Sequence, residues 1–272
     1  MGIGECRLIW REYGHSRRLF TLADFQIYGL LGYASSAMTK PLLVSVRDKD
    51  DPMVQHERSC FEARAGMDLD VVFAIERGLG EALLEERPAV FFGGSGAYSV
   101  TDSDPWIREA LDFFLLVVDK KVPAYASCFA FQGLALAMGG EVSHDPAYAE
   151  MGIVPVKLSP EARQDPIFGS LPDPVAVCSG HNDHVARLPS GVTSFCIGEL
   201  VEHQAFKVDG APFWASQFHP ELTKADLMIR WNFYRDVFTT DPNEIAATDA
   251  VLNAAPETPE INGLIRALLN LS

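Results

Sequence analysis

Basic charge is scarce in this sequence. Its 22 lysines and arginines face 37 aspartates and glutamates, for a formal net charge of -15 at pH 7. A nucleic acid or an anionic membrane surface would be repelled unless a local basic patch existed. Arg17, Arg18 and the scattered later arginines form no such patch. Cysteine is sparse too: the five, Cys6, Cys60, Cys128, Cys178 and Cys196, are odd in number, widely spread and without CxxC spacing. That pattern suggests neither a disulfide framework nor a zinc site, and a reducing compartment fits it best. No apolar run is long enough to span a bilayer. The amino terminus, MGIGECRLIWREYG, carries charges where a signal peptide needs an apolar core. Gly2 begins a myristoylation motif, but Cys6 stands where that motif needs Ser or Thr. The expected setting is cytoplasmic, with no membrane and no nucleic-acid partner. A phosphate-binding lysine is also missing, because GGSG at 93–96 is not followed by Gly-Lys-Ser/Thr; a nucleotide loop is thereby set aside and no cofactor is expected.

What is present is enough apolar residue, 48% of 272 positions, to bury the core of one large α/β domain. The chain is organised around VPAYASCFAFQGLALAMGGE, Val122 to Glu141. An apolar run over 122–126 ends on small residues, and a helix-forming run begins at Cys128. A cysteine on a sharp strand-to-helix turn has the geometry of a nucleophile elbow. The free N–H groups and dipole of the helix terminus favour its thiolate. A buried core cysteine is the commoner fate of a free thiol, so other segments must decide. Two do. In WASQFHPEL, His219 and Glu221 stand two apart after a strand-like run, which in extended chain places a base and its orienting carboxylate on one face. In VFFGGSGAYS, Gly93, Gly94 and Gly96 follow a strand, where backbone N–H groups can hold a developing oxyanion.

The remaining segments alternate. Strands are expected at 41–46, 69–74 and 89–92, and helices at 77–86, 105–120 and 222–238. Short connections between alternating strands and helices imply a parallel sheet with helices on both faces, a doubly wound α/β sandwich. Beyond Gly140 the pattern turns to short β segments joined by Pro and Gly. Residues 240–256 read as a connection. Ile261, Leu264, Ile265, Leu268 and Leu269 then give a helix packed on the body. The acidic RDKDD, 47–51, with His56 and Glu57 behind it, reads as a solvated loop and helix cap or as a contact to an acceptor or partner. Residues 1–40 form an N-terminal extension, with a candidate helix over 18–38 that covers apolar surface or makes an oligomer contact; 41–240 form the main domain and 241–272 a C-terminal connection and helix.

The glycine loop, the elbow and the histidine strand, in this chain order and spacing, resemble the class I glutamine amidotransferases, in particular the glutaminase domain of GMP synthetase. HNDHVARLP, through His181, Asp183 and Val185, and EHQAF, Glu202 to Phe206, extend the likeness, which covers roughly 41–235. It implies a mostly parallel sheet in flavodoxin-like order with a small antiparallel β flap over the substrate side. It also implies that Cys128 attacks the side-chain amide of glutamine, with His219 as base and Glu221 orienting it. Gly94 and Phe129 would supply oxyanion N–H groups, and Gly93, Gln132, His181 and Asp183 would shape the substrate pocket. His181, Asp183 and His184 look like a metal cluster, but further converging ligands are wanting and the family uses this segment for the glutamine pocket, so no metal is expected.

One departure stands out. The family pattern Gly-x-Cys-x-Gly is here Ala126-Ser-Cys-Phe-Ala130, and alanine cannot take up unusual backbone angles freely. The expected function is glutamine hydrolysis through a γ-glutamyl thioester, releasing glutamate and ammonia for a separate synthase. The absence of a fused synthetase and the altered elbow lean towards the alternative, a stand-alone hydrolase of γ-glutamyl amides or peptides. A non-enzymatic binding module is the second alternative, against which an intact Cys, His and Glu set argues.

Overall fold

The structure, a computed structural model, describes residues 39–271. The helix expected over 18–38, and nearly all of the N-terminal extension, lie outside the described residues. In chain order the elements are β1 (Leu42–Ser45), α1 (Met53–Ala65), β2 (Asp70–Phe73), β3 (Val90–Phe92), α2 (Pro105–Lys120), β4 (Ala124–Ser127), α3 (Phe129–Ala137), β5 (Glu141–His144), β6 (Glu150–Leu158), β7 (Val175–His181), β8 (Asp183–Arg187), β9 (Val192–Ile197), β10 (His203–Val208), β11 (Phe213–Ser216), α4 (Lys224–Phe238), α5 (Pro242–Ala254) and α6 (Leu264–Leu269). Among the described residues, no helix is long and apolar enough to cross a membrane.

Among the described residues, nine strands form one sheet in the order β2-β1-β3-β4-β11-β10-β9-β6-β7. The first five pair in parallel, in the 2-1-3-4-5 order of flavodoxin-like sheets. From β11 outward the pairing is antiparallel, so most of the short β segments after Gly140 extend the main sheet. Among the described residues, β5 and β8 alone form a separate two-stranded antiparallel flap.

The parallel strands are buried on both faces, because successive side chains leave the sheet in opposite directions. Leu42, Val44, Phe92 and Phe213 pack with α2 and α3, whereas Leu43, Phe91, Tyr125 and Trp214 pack with the side of the sheet that carries α1 and α6. Phe92 stacks on Phe213 at 5.7 Å and meets Phe114 edge-on at 4.9 Å. Full burial of one such ring contributes roughly 2 kcal/mol. Leu264, Ile265 and Leu268 bury one stripe of α6, as their spacing requires.

Two expectations are corrected. The helix expected at 77–86 is absent: 3-10 turns at Ala74–Glu76 and Glu81–Leu84 stand there instead. Gly78 at φ 88° and Arg77 at φ 65° break the run between them, and a left-handed residue cannot propagate a right-handed helix. The connection expected over 240–256 is largely α5. Its start is set by Asp241, whose carboxylate accepts from the Asn243 N–H, and by Pro242 at the first helical position.

The acidic loop after β1 is not simply solvated. Arg47 and Glu57 are both buried; the Arg47 Nε donates to Glu57 Oε1 at 3.2 Å, and Ser45 Oγ donates to Glu57 Oε2 at 2.9 Å. Arg47 Nη1 also pairs with Asp51 at 3.0 Å and donates to the Tyr234 hydroxyl. Removing one partner of a buried pair strands the other charge. Glu57→Ala is expected to destabilise the fold by about 3 kcal/mol, read as a lower urea midpoint at unchanged slope.

Candidate active site

Four segments converge at one edge because they leave the carboxyl ends of neighbouring parallel strands. Arg47 follows β1, Gly94 follows β3, Cys128 follows β4 and His219 follows β11. Such an edge is where open α/β sheets collect ligands.

Cys128 caps α3 at φ 51°, ψ −105°, outside the ordinary regions for a residue with a Cβ. Its N–H donates to the Ser216 carbonyl at 2.8 Å and its carbonyl accepts from the Gln132 N–H at 3.0 Å, so the turn is tied to β11 and to the helix it starts. Ala126 and Ala130 both keep φ below zero; the one unusual conformation at the elbow falls on the cysteine itself. Phe129 opens α3, where N–H groups have no partner within the helix. Its ring stacks on Trp106 with centroids 5.8 Å apart.

His219 is fixed from both sides. Its N–H donates to the Cys178 carbonyl of β7 at 2.9 Å, and its Nδ1 meets Glu221 Oε1 at 2.7 Å. That leaves Nε2 of the ring for a partner, and the neighbouring Cys128 side chain adds to the histidine's proton affinity. Glu221 is fully buried; Ser127 Oγ donates to its Oε2 at 3.1 Å, and Arg230 Nη1 lies 3.6 Å from its Oε1. Burial alone would lower the His219 pKa, but the adjacent Glu221 charge and the hydrogen bonds to Cys128 and Glu221 outweigh it and raise the value to about 9. Burial likewise works against ionised Glu221, yet the charge of His219, its hydrogen bond and Arg230 bring that carboxyl down to about 2.

Gly94 sits against both groups: a Cβ there would lie 3.0 Å from His219 Cε1 and 3.3 Å from Cys128 Cβ. Glycine at this position lets the loop backbone approach the thiol. Ser95 Oγ accepts from the N–H groups of Ala97 and Tyr98, which turns the loop over. Gly93 lies behind it and does not line the cavity; its N–H donates to the Val44 carbonyl at 3.2 Å, and a Cβ would strike Glu57.

A cavity of about 440 Å³ opens over these groups. Its walls include Gln132, His144, His181 and Asp183 together with Leu222, Leu227, Arg230, Tyr234 and Phe238. Gln132 is buried, its Nε2 donating to the Asp183 carbonyl at 2.7 Å and to Gln217 Oε1 at 3.1 Å. Asp183 takes a 2.6 Å contact from His144 Nδ1 and a 2.5 Å bond from Ser99 Oγ. His181 Nε2 meets Glu150 at 2.9 Å, and Glu150 also accepts from Gln204 at 2.8 Å. His181, Asp183 and His184 therefore do not gather around one point: each of the first two is held by a different partner, and the His184 ring lies 4.7 Å from that of Tyr148.

Two polar residues of α4 at the cavity, Arg230 and Tyr234, carry no mark of a site in the sequence. Arg230 Nη1 is 3.5 Å from His219 Nδ1, and its Nε and Nη2 are buried with no hydrogen-bond partner among the described residues. The available signal was the i, i+4 spacing of 222–238, in which Arg230 and Tyr234 share a stripe with Leu227.

Comparison with known proteins gives the same outline. The chain is 38% identical over 102 residues to the glutamine-hydrolysing GMP synthase of Thermotoga petrophila, 38% of this chain and 19% of that protein, so it spans about a fifth of that relative's length. It is 31% identical over 156 residues to a glutamine-hydrolysing GMP synthase component of Sulfolobus acidocaldarius that is a single subunit of its synthase, 56% of this chain and 78% of that one. A glutamine amidotransferase of Methylobacillus flagellatus has the same fold, with a TM-score of 0.65 over 85% of this chain and 95% of the other at 19% identity. The model of the class-I glutamine amidotransferases matches residues 70–234, a stretch that runs from β2 to α4 and contains the elbow, the glycine loop and the His219 strand; the chain belongs to that family.

Proposed function

We propose that this chain hydrolyses the γ-amide of glutamine and delivers the ammonia to a separate synthase. The observation that carries the reading is the His219–Glu221 pair, 2.7 Å apart and buried, against a cysteine on a strained turn in the floor of the cavity. A binding module would have no use for that juxtaposition. The likeness to the Sulfolobus protein, which is named as one part of a GMP synthase, supports the separate partner.

In the reaction, Cys128 Sγ, its proton already held by His219 Nε2, attacks the side-chain carbonyl carbon of glutamine. The N–H groups of Gly94 and Phe129 hold the tetrahedral oxyanion. As the intermediate collapses, the C–N bond breaks and His219 gives its proton to the departing ammonia, leaving a γ-glutamyl thioester. Water then attacks the thioester, losing a proton to His219, and the thiolate departs. One glutamine and one water give one glutamate and one ammonia. Asp183, with its carboxylate at the cavity wall, would face the α-ammonium of the substrate. Gln132, with both amide N–H groups bonded, and His181, with Nε2 on Glu150, shape that wall.

A second reading has its own support. Residues of α4 line the cavity, and about 440 Å³ is more room than glutamine alone requires. A leaving group larger than ammonia would fit there, as in a γ-glutamyl amide or peptide.

The test uses the full chain alone. Ammonia release from L-glutamine, together with a glutamine-like diazoketone that adds covalently at Cys128 by peptide mass, is the expected outcome. Faster turnover of a γ-glutamyl dipeptide than of glutamine would select the second reading. Labelling away from Cys128 would overturn both.

A further inference from the structure

Behind the His219–Glu221 pair, α1 and α4 bring together three potential ligands that the reaction does not use. His56 and Cys60 are one turn apart on α1, and Asp226 stands in the first turn of α4. One donor atom of each lies within 4.8 Å of the others. We propose that His56, Cys60 and Asp226 form a site for a zinc-class divalent cation, which would clamp α1 to α4. This inference is independent of the proposed reaction.

Two of the three donor spacings suit such an ion, and the third, Cys60 to Asp226, lies within 4.8 Å. In a tetrahedral site with bonds near 2.3 Å to sulfur and 2.0–2.1 Å to nitrogen and oxygen, donors lie roughly 3.3–3.8 Å apart. Cys60 Sγ is 3.7 Å from His56 Nε2, and that nitrogen is 3.4 Å from Asp226 Oδ1. Sγ is also 3.9 Å from Nδ1, so the imidazole must turn to aim a lone pair between the other two donors. It has room to do so, with the His56 side chain 15% exposed.

The carboxylate is already oriented. Asp226 Oδ2 is held by the Thr223 N–H at 2.9 Å and by its hydroxyl at 2.6 Å in a capping box, which leaves Oδ1 turned to His56. Carboxylates bonded in this way from behind make better-placed ligands. Charge also balances. With the Cys60 proton released to solvent, thiolate and carboxylate neutralise a divalent ion, while the nearby Arg230 keeps Glu221 as its counter-ion. The mixed nitrogen, sulfur and oxygen set selects zinc over calcium or magnesium. Three protein ligands leave a fourth position for water, reached from the side where His56 and Asp226 are partly exposed. No metal was expected from the sequence because CxxC is missing; a His-x-x-x-Cys on one helix completed by a distant aspartate has no such signature.

Cobalt(II) is the probe, since a thiolate ligand gives it a sulfur-to-metal charge-transfer absorption. Titrated into the full chain, it is expected to produce that band with saturation at one equivalent, and zinc is expected to abolish it by displacement. The band should survive in Cys128→Ser, disappear in Cys60→Ser, and need at least tenfold more cobalt in His56→Gln. His56→Gln alters a partly exposed side chain, so it tests the site even where Cys60→Ser folds poorly. Absence of the band, its persistence in Cys60→Ser, its loss in Cys128→Ser, or wild-type affinity in His56→Gln would each overturn the proposal.

Discussion

Cys128→Gly is expected to abolish turnover and at the same time raise the melting temperature. The two effects have separate causes. In the proposed reaction, loss of the attacking sulfur leaves only the oxyanion donors and binding, and removal of a nucleophile acting in concert with its base costs on the order of 10⁶ in rate. The backbone responds in the other direction. At φ 51° and ψ −105° a residue with a Cβ is strained, and such conformations cost of order 1–3 kcal/mol. Glycine removes that strain but gives back roughly 0.5–1 kcal/mol through its greater freedom in the unfolded chain. The net gain is about 1 kcal/mol, or roughly 2–4 °C for a domain of this size. Cys128→Ala separates the contributions: it should be as inactive as the glycine variant but no more stable than wild type. The measurements are calorimetric melting of the three proteins beside ammonia release. Melting of Cys128→Gly below wild type would show that the thiol's packing and its contacts with Gln217 and the Gly180 carbonyl outweigh the strain.

This divided role explains why the elbow could be read without coordinates. An apolar run, small residues and an abrupt helix-forming run fix a turn at Cys128 by steric necessity, and the fold places that turn at the carboxyl edge of β4. The same logic delivers β1, β3 and α2, whose apolar spacing reflects burial. It fails where burial is not the organiser. α5 has only Leu252 fully buried and little apolar periodicity, so Asp241 and Pro242, its true start signals, were outvoted by composition. Residues 77–86 carry helix-forming side chains, yet Gly78 and the left-handed Arg77 interrupt the backbone. Ala126 and Ala130 depart from the family pattern without taking the unusual backbone angle, which at the elbow belongs to Cys128. Arg47 and Glu57 looked like surface charge because pairing between a loop and the next helix leaves no mark in linear sequence. Arg230, one turn from Asp226 and beside His219, was hidden for the same reason.

Glu221→Gln is the sharpest test of how the histidine is tuned. The amide keeps the shape of the carboxylate, and its oxygen can still accept from His219 Nδ1, so the ring stays in place while the charge is removed. Replacing the orienting carboxylate of a triad by its amide costs on the order of 10⁴ in turnover. The cause here is visible in the titration of His219. In wild type, burial disfavours the imidazolium, and Glu221 with the hydrogen bonds overrides it to give a pKa of about 9. Without Glu221, burial acts with Arg230 only 3.5 Å away, and both oppose the cation. The variant's His219 should therefore titrate well below the wild-type histidine, a fall observable in the NMR titration of its Cε1 proton. The alkaline limb of the rate profile, where His219 no longer has a proton for the leaving ammonia, should move down with it. Stability follows the same pair. The raised His219 contributes stability that is complete below 6.5 and is lost as pH rises through about 9; the lowered Glu221 contributes stability present above 4.5 and lost as pH falls through about 2. The wild-type advantage in melting temperature over Glu221→Gln should thus be greatest between pH 4.5 and 6.5 and smaller at about pH 9.5. A variant that keeps His219 near pH 9, or whose deficit is the same at both ends, would assign the histidine's proton affinity to some group other than Glu221.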